Sequence, residues 1–260
     1  MKHDYLHELF GLSGQTAVVV GGTGVLGGAL ADGLAAAGAC VVVAGRNAER
    51  GEARVTAIRE AGGDGHFIAV NAVERKSIED LLSATIKKCG SADILVNCAG
   101  VNSSIPYNEI PDDDWDRVLN TNLKSTHLGC QIFGRHMATS GGGAILNIGS
   151  VSADKPLSKV FAYSASKAAV VNYTQNVARE LATKDVRVNV LCPGFFPAEQ
   201  NKKILSPERI SQIMGQTPMD RFGNPHELVG AAVLLCSKNA GSFITGTSIY
   251  VDGGFTGMRI

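Results

Sequence analysis

The chain has 260 residues, 45% of them hydrophobic, and its 24 lysine and arginine residues balance 24 aspartate and glutamate residues. This length and composition fit one large α/β domain with a sizeable buried core. The zero net charge and the lack of a basic block argue against a nucleic-acid partner. No apolar run reaches the ~18 residues of a membrane span, and the polar start is not a signal peptide. We therefore expect a soluble, cytoplasmic protein with no membrane partner.

The cysteines and histidines show no spacing typical of a metal site. Six cysteines are spread along the chain without a CxxC pair, and the six histidines include no HExxH motif. This distribution favours reduced thiols over a disulfide framework or a zinc site, so we expect no bound metal. The cysteines are Cys40, Cys89, Cys98, Cys130, Cys192 and Cys236.

Short apolar runs alternate with longer, helix-compatible stretches over almost the whole length. This βαβα rhythm predicts an α/β fold, a single doubly wound Rossmann-type domain over residues 1–260. Its mostly parallel seven-stranded sheet would be flanked by helices, and several runs are continuous in β-branched residues, as in strands buried on both faces. The predicted strands are 16–20, 40–44, 66–70, 94–97, 144–148, 187–191 and 248–251, with helices at 26–37, 48–61 and 76–88 among others.

Glycine, proline and acidic residues mark the expected helix ends. Gly38 and Gly62 follow helical stretches, where a left-handed residue often ends a helix. Pro111, followed by three aspartates, predicts the start of a helix that runs past Met137.

A glycine-rich turn follows the first predicted strand and opens the first long helix. Glycines at such a turn allow a sharp bend, a close approach of pyrophosphate to the backbone, and tight packing of helix on strand. The pyrophosphate would lie at the helix N-terminus. The sequence therefore predicts a dinucleotide site formed by Gly21, Thr23, Gly24, Val25, Leu26 and Gly27.

The residue after the second strand indicates which dinucleotide is preferred. An acid at this point would bind the ribose 2′-hydroxyl of NAD, whereas an arginine would pair with the 2′-phosphate of NADP. The chain has Arg46 there, and no acid before Glu49. Arg46 as a solvated surface residue is the alternative. The pattern favours NADP, with NAD possible.

Three residues have the chemistry to act on a carbonyl group. Tyr163 and Lys167 lie four residues apart in a helix-compatible stretch and so share one face. A nearby ammonium lowers the pKa of a phenol and lets it act as an acid or base near neutral pH. Ser150, just after a strand, could donate a hydrogen bond to the same carbonyl oxygen.

With these motifs in this order, the chain resembles a short-chain dehydrogenase/reductase from about Leu9 to its C-terminus. The resemblance is carried by the glycine turn, Asn97-Cys98-Ala99-Gly100, Asn122, Ser150, Tyr163-x-x-x-Lys167, Pro193-Gly194 and Val251-Asp252-Gly253-Gly254.

The resemblance implies a catalytic tetrad. Tyr163 would be the acid/base, and Lys167 would lower its pKa and hold the nicotinamide ribose. Ser150 would orient and polarise the substrate carbonyl, and Asn122 would hold a water that links Lys167 to solvent. Asn97 would support the sheet centre and, with its neighbours, the cofactor ribose. Further cofactor contacts are implied for Asn71, Ala99, Gly100, Pro193, Gly194 and Phe196.

The chain departs from the family pattern at three places. In the glycine turn, Val20 stands where the family usually has threonine, and Val25 stands at the middle glycine. Asn71 takes the place of the acid that usually bonds the adenine amine, although its side-chain carbonyl can accept the same bond. Ala198 replaces a threonine that often follows Pro-Gly.

The substrate is expected under a lid at about residues 196–219, in which Ser206-Pro207-Glu208 can start a short helix. The polar character of this stretch favours a polyhydroxylated substrate; the alternative is that these polar residues only coat an exposed lid. The chain looks most like the sugar-acid branch of the family, which includes fructuronate reductases (mannonate oxidoreductases) and gluconate-type dehydrogenases. The candidate substrate residues are Ser152, Lys159, Gln200 and Asn201, of which Lys159 could meet a carboxylate.

Two alternatives stay open at this point. One is a reductase of 3-oxoacyl thioesters or other small ketones. The other is a non-catalytic dinucleotide-binding sensor, which would be expected to have lost one of Ser150, Tyr163 and Lys167. The resemblance also implies a homotetramer.

Overall fold

A computed structural model of the protein describes residues 3–197 and 206–257, and its centre is a seven-stranded sheet. The strand order is β3-β2-β1-β4-β5-β6-β7, and every neighbouring pair is parallel. This confirms the predicted Rossmann-type fold and all seven strands, with shifts of a few residues at their ends. The strands are β1 (Thr16–Val20), β2 (Cys40–Gly45), β3 (Asp64–Ala69), β4 (Ile94–Asn97), β5 (Gly143–Ile148), β6 (Val186–Pro193) and β7 (Ser248–Val251).

Helices cover both faces of the sheet because its strands present apolar side chains on each side. On one face, Leu30, Leu34 and Leu235 pack against Val19 and Val41. Leu81, Phe133 and other helix residues pack against the opposite face. The helices are α1 (His3–Phe10), α2 (Val25–Ala36), α3 (Ala48–Glu60), α4 (Arg75–Cys89), α5 (Asp112–Leu119), α6 (Ser125–Met137), α7 (Phe161–Leu181), α8 (Pro207–Met214) and α9 (Val229–Cys236).

The ends of the helices follow the predicted signals, with two differences. Gly38 and Gly62 adopt φ angles of 101° and 85°, as expected for left-handed residues after a helix. The helix that begins after Pro111 contains a π-helical turn and stops at Met137 instead of running past it. The left-handed glycines of the turn that leads into β5 explain that stop. Helix α1 was not predicted from the sequence.

A chain of buried polar side chains crosses the middle of the sheet. The amide of Asn97, at the end of β4, donates to Asn147 Oδ1 of β5 at 2.9 Å. Asn147 in turn donates to Thr174 Oγ1 of α7 at 2.9 Å, and Thr174 donates to the Val170 carbonyl at 2.7 Å. Buried hydrogen bonds of this kind are satisfied only in one arrangement, so they set α7 against the two central strands.

The strand order reverses beside β1, which lies between β2 and β4. In open parallel sheets, ligands bind in the crevice outside the carboxyl ends of the strands at such a reversal. The glycine turn, Asn97 and Ser150 all follow or end strands at that edge. Across residues 3–197 and 206–257, no helix is long and apolar enough to cross a membrane.

Candidate active site

The glycine turn after β1 has the close contacts that exclude larger residues. Gly21 has a φ of 89°, and a methyl group added to it would lie 2.7 Å from the Ala99 nitrogen. A methyl group on Gly27 would lie 2.3 Å from the Gly21 carbonyl oxygen. The Gly24 N–H donates to that same carbonyl at 3.0 Å and closes the turn. The turn therefore forms with Val25 at the position where the family usually has glycine.

The N-terminus of α2 is open to an anion. Its N-cap residue is Gly24, and no side chain caps the helix. Uncapped N–H groups and the positive end of the helix dipole together favour a phosphate. Val25 is 48% exposed, so the first turn faces solvent. A cleft of about 240 Å³ opens beside it, and its lining includes Gly21, Thr23, Gly24, Arg46, Asn71, Ala99 and Gly100.

Two side chains at the far end of this cleft can form polar contacts with the adenosine half of a dinucleotide. Arg46 is exposed directly after β2 and makes no ion pair within the described part of the chain. The amide nitrogen of Asn71 donates to Glu74 at 2.6 Å. Its carbonyl oxygen receives only a long 3.5 Å contact from the Val73 N–H, which leaves it able to accept a further hydrogen bond.

The reacting end is formed by one face of α7 and the end of β5. The ammonium of Lys167 is buried, donates to the Ile148 carbonyl at 2.7 Å, and lies 5.6 Å from the centre of the Tyr163 ring. The structure therefore brings the tyrosine and the lysine together, as their spacing predicts.

The pKa values of this pair are set mainly by burial. Loss of solvation lowers the pKa of Lys167 from 10.5 to about 8. Burial raises the pKa of Tyr163, while hydrogen bonding with the Ser150 side chain acts in the opposite direction. This differs from the predicted lowering of the tyrosine pKa. The reason is that desolvation of the phenolate outweighs the stabilising contacts in this structure.

Ser150 is oriented by its neighbour Ser152. The Ser150 oxygen accepts from both the N–H and the hydroxyl of Ser152, each at 3.1 Å. Both serines are buried, with Ser150 7% exposed and Ser152 4% exposed. Only Ser150 reaches the adjoining cleft, so Ser152 acts here as a partner of Ser150, whereas the sequence predicted it among the substrate residues.

Asn122 lies in the π-helical turn and is fully buried. Its side chain bonds both polar groups of the Val101 backbone, at 2.8 and 3.0 Å, and donates to Ser166 Oγ at 3.0 Å. A methyl group on Gly100 would lie 3.3 Å from Asn122 Oδ1 and 3.7 Å from Lys167 Nζ. Asn122 therefore ties the loop after β4 to α7, close to the lysine ammonium.

Asn97 and the Pro193-Gly194 pair occupy supporting positions. The Asn97 amide points to Asn147 and Cys130 in the sheet centre, as the first half of its predicted role requires. The Gly194 N–H donates to the Val251 carbonyl at 2.9 Å, which ties the end of β6 to the end of β7.

A second, larger cleft of about 920 Å³ adjoins Tyr163 and Ser150. Its walls combine apolar and charged groups. Lys159 and Phe196, both predicted, belong to this lining. The predicted start of a lid helix is confirmed as α8, where the Ser206 hydroxyl accepts from the Arg209 N–H at 3.2 Å.

Arg209 is a cleft residue that the sequence analysis missed. It lies in the first turn of α8, and its Nη1 donates to Ser158 Oγ at 3.1 Å and to Gln212 Oε1 at 3.3 Å. The signal available in the sequence is a basic residue in the first turn of a helix that begins with Ser-Pro, within the predicted lid. Of the other predicted residues, Ala198, Gln200 and Asn201 lie outside the described residues.

These features define the class of protein. A parallel sheet with a glycine turn, and a serine, tyrosine and buried lysine at its carboxyl edge, form a dinucleotide-binding oxidoreductase site. The family model described as Enoyl-(Acyl carrier protein) reductase matches residues 23–256. The chain belongs to the short-chain dehydrogenase/reductase family of nicotinamide-dependent oxidoreductases, as the order of its motifs predicts.

Relatives in several bacteria cover nearly the whole chain. An uncharacterized oxidoreductase UxuB of Bacillus subtilis is 37% identical, with 96% of this chain and 97% of that protein covered. Gluconate 5-dehydrogenase of Gluconobacter oxydans is 35% identical, with the same coverage. A gluconate 5-dehydrogenase of Burkholderia cenocepacia, solved with NADP and tartrate, is 31% identical and has a TM-score of 0.93, with 98% and 100% of the two chains covered.

The thioester alternative also has relatives. A 3-oxoacyl-[acyl-carrier-protein] reductase of Vibrio harveyi is 34% identical, with 94% of this chain and 98% of that protein covered. Membership of the family is thus clear, while the choice of substrate depends on the cleft.

The buried ammonium of Lys167 predicts a pH-dependent stability. The change in pKa from 10.5 to about 8 corresponds to about 3 kcal/mol of opposition to folding at neutral pH. Between pH 8 and 10.5 the unfolded chain retains a proton that the folded chain has lost, so the free energy of unfolding rises with pH. Lys167→Met should therefore stabilise the protein at pH 7 by about 2 kcal/mol, after the lost hydrogen bond is subtracted, and this advantage should shrink at pH 10.

Urea unfolding at the two pH values measures this difference. Lys184→Met is the control. It removes the positive charge of an exposed lysine and should change the free energy of unfolding little at either pH. An advantage of Lys167→Met that is equal at pH 7 and pH 10 would show that the ammonium is not desolvated.

Proposed function

We propose that the protein transfers a hydride between NADP and the carbonyl or secondary alcohol of a sugar acid or polyol. The observation that carries this proposal is a single cleft that joins the reacting groups Ser150 and Tyr163 to two cations, Lys159 and Arg209, against one acid, Glu208. A sugar acid has both the oxidisable hydroxyl and the carboxylate that this combination can bind. Relatives named gluconate 5-dehydrogenase support the same substrate class.

Each residue of the site has a separate role in the reaction at the carbonyl carbon. The nicotinamide, when bound, supplies or accepts the hydride. Tyr163 gives its phenolic proton to the developing alkoxide during reduction and removes it during oxidation. Ser150, held in place by Ser152, donates a hydrogen bond to the same oxygen and favours the charge that develops there. Lys167, whose ammonium lies 5.6 Å from the centre of the Tyr163 ring, would bind the ribose of the nicotinamide, and Asn122 holds the adjoining loop.

The dinucleotide would lie across the carboxyl edge of the sheet. Its pyrophosphate fits the uncapped N-terminus of α2, and its adenine fits beside Asn71. Arg46, exposed beside the same cleft, supports NADP because a guanidinium can bind a 2′-phosphate through two hydrogen bonds. The nicotinamide would extend past Asn97, Ala99 and Gly100 towards Pro193, Gly194 and Phe196.

The substrate would lie under a lid of about residues 196–219 within one domain that spans residues 1–260. Phe196 forms the base of this lid, because its ring packs so closely on Gly223 that a methyl group there would lie 2.2 Å from Cε1. The 3-oxoacyl thioester alternative is less favoured because two cations in the cleft suit a carboxylate better than an acyl chain.

We also infer a cytoplasmic homotetramer. A surface groove of about 560 Å³ lies between α6 and α7, and its apolar lining includes Tyr173, Val177 and Leu181. An apolar groove between two long helices suits a two-fold contact with a second copy. The cysteines, with no disulfide within the described residues, agree with a reducing compartment.

The primary test is a substrate screen that follows the absorbance of the reduced nicotinamide. The purified protein would be assayed with NADP or NAD and a panel of sugar acids, polyols, hydroxyacyl thioesters and hydroxysteroids. We expect turnover on a sugar acid or polyol, and a loss of at least about 100-fold in Tyr163→Phe, which lacks the transferable proton. Activity confined to thioesters or steroids would overturn the substrate class. Full activity of Tyr163→Phe would overturn the assigned acid/base.

The dinucleotide preference depends on Arg46. Arg46→Asp should shift the ratio of kcat/KM for NADP over NAD towards NAD by about 10- to 100-fold, because it replaces a charge-assisted bond to phosphate by repulsion. Arg46→Lys keeps the charge without the planar fork and should give an intermediate ratio. An unchanged ratio in Arg46→Asp would show that the guanidinium does not contact the 2′-phosphate.

The carboxylate contact depends on Arg209. Arg209→Gln should raise KM for a sugar acid by about 10-fold and leave KM for an uncharged polyol nearly unchanged, since only the acid loses an ion pair. Glu208→Gln, which removes the acid of the same cleft, is the matched comparison and should not raise KM for either substrate, because it removes repulsion of the carboxylate. An equal rise in KM for both substrates would mean that Arg209 shapes the lid and does not recognise the carboxylate.

A further inference from the structure

A group of metal-ligating side chains lies at the edge of the sheet opposite the active site. Cys40 is the first residue of β2, and Asp64 is the first residue of β3. These two residues are register partners on adjacent parallel strands, so their side chains project from the same face of the sheet. His66 follows Asp64 by two positions and therefore shares that face. Cys89 is the last residue of α4, which packs on this face.

The ligand atoms of three of these residues are close to one another. One atom each of Cys40, His66 and Cys89 lies within 4.8 Å of the other two. Asp64 Oδ1 lies 3.5 Å from His66 Nε2. In a tetrahedral zinc site with bonds of about 2.0–2.3 Å, the ligand atoms are about 3.3–3.8 Å apart. Small side-chain movements would therefore bring the atoms of Cys40, His66 and Cys89 around one ion, and the Asp64 carboxylate lies beside His66 at the same place.

The chemistry of these donors is selective. Two thiolates and an imidazole are ligands that zinc prefers, whereas magnesium and calcium require oxygen. All three residues are half-buried, so an ion would be shielded from bulk water while remaining reachable from the surface. The C-terminus of α4 adds the negative end of a helix dipole, which favours a cation at Cys89.

We propose that Cys40, His66 and Cys89 bind one zinc ion, with Asp64 as the fourth ligand. The ion would join the end of α4 to the first residues of β2 and β3, at the amino-terminal ends of these two strands. Its role is structural, because four protein ligands leave no open position for a substrate.

A bound zinc ion differs from the expectation of no metal, which follows from the lack of a short CxxC or HExxH spacing. The ligands come from two strands and a helix that are distant in sequence and are brought together only by the parallel pairing of β2 with β3 and the packing of α4.

The test is a zinc titration of the untagged, reduced, full-length protein after removal of metal. We expect one zinc per chain by elemental analysis. At a free zinc concentration about 100 times its Kd, the Tm should rise by about 5–10 °C. Loading with cobalt should give the thiolate charge-transfer band and the strong visible bands of a tetrahedral sulfur site. Less than a stoichiometric amount of zinc, or a cobalt spectrum without thiolate bands, would overturn the proposal.

Matched variants identify the ligands. Cys89→Ala and His66→Gln should each weaken zinc binding by at least about 10-fold. Cys236→Ala and His136→Gln remove a thiol and an imidazole outside the cluster and should bind zinc like the parent protein. Equal affinity in all four variants would overturn the assignment. A Cys40–Cys89 disulfide that forms in air, with no zinc uptake by the reduced protein, would identify the pair as a redox element and overturn it also.

The proposed zinc site and the proposed oxidoreductase activity can be tested independently of each other. The cluster lies at the start of the strands, whereas Ser150, Tyr163 and the glycine turn lie at their carboxyl ends. Cys89→Ala should therefore lose zinc and the associated rise in Tm while it keeps the kcat of the parent at a temperature well below its Tm. A loss of kcat in parallel with the loss of zinc, in a variant that remains folded, would contradict a purely structural ion.

Discussion

The parallel pairing of all seven strands is the constraint on which the rest of this structure depends. Each strand must be followed by a connection that returns to the same end of the sheet, and helices on both faces supply most of these returns. Every strand therefore ends at the same edge. The glycine turn, the end of β4, Ser150 and Pro193 meet there although they are far apart in the chain. A ligand that lies along this edge contacts several loops at once, which explains how one domain can hold both a dinucleotide and a substrate.

The reacting end places polar groups where the core would otherwise be apolar. The chain of Asn97, Asn147 and Thr174 is satisfied internally and positions α7 against β4 and β5. Among the described residues, the ammonium of Lys167, on the same helix, has one hydrogen-bond acceptor, the Ile148 carbonyl. The chain of hydrogen bonds contributes to a unique packing. Burial of the Lys167 ammonium opposes folding and makes that ammonium available to a ligand. Functional sites commonly lose stability in this way.

The two clefts differ in how the chain builds them. The cleft beside the glycine turn is lined largely by backbone and small residues, because the neighbouring backbone leaves no room for side chains at Gly21 and Gly27. The larger cleft beside Tyr163 is lined by long side chains from a loop and from α8, among them Lys159, Phe196 and Arg209. Backbone geometry is shared by proteins that bind the same cofactor, whereas side chains on a lid can change without altering the fold. Substrate class is therefore the property that varies most within this architecture.

The sequence by itself determined the fold class, the seven strands, the glycine turn and the pairing of Tyr163 with Lys167. These features depend on local periodicity and short spacings, which residues near in sequence can express. The tertiary structure decided what depends on residues distant in sequence. It placed Ser152 behind Ser150, brought Arg209 into the cleft beside Tyr163, and gathered Cys40, His66 and Cys89 at the opposite edge. It also decided the direction of the Tyr163 pKa, because desolvation depends on everything packed around the phenol. Such properties arise from packing in three dimensions, which short-range sequence patterns do not encode.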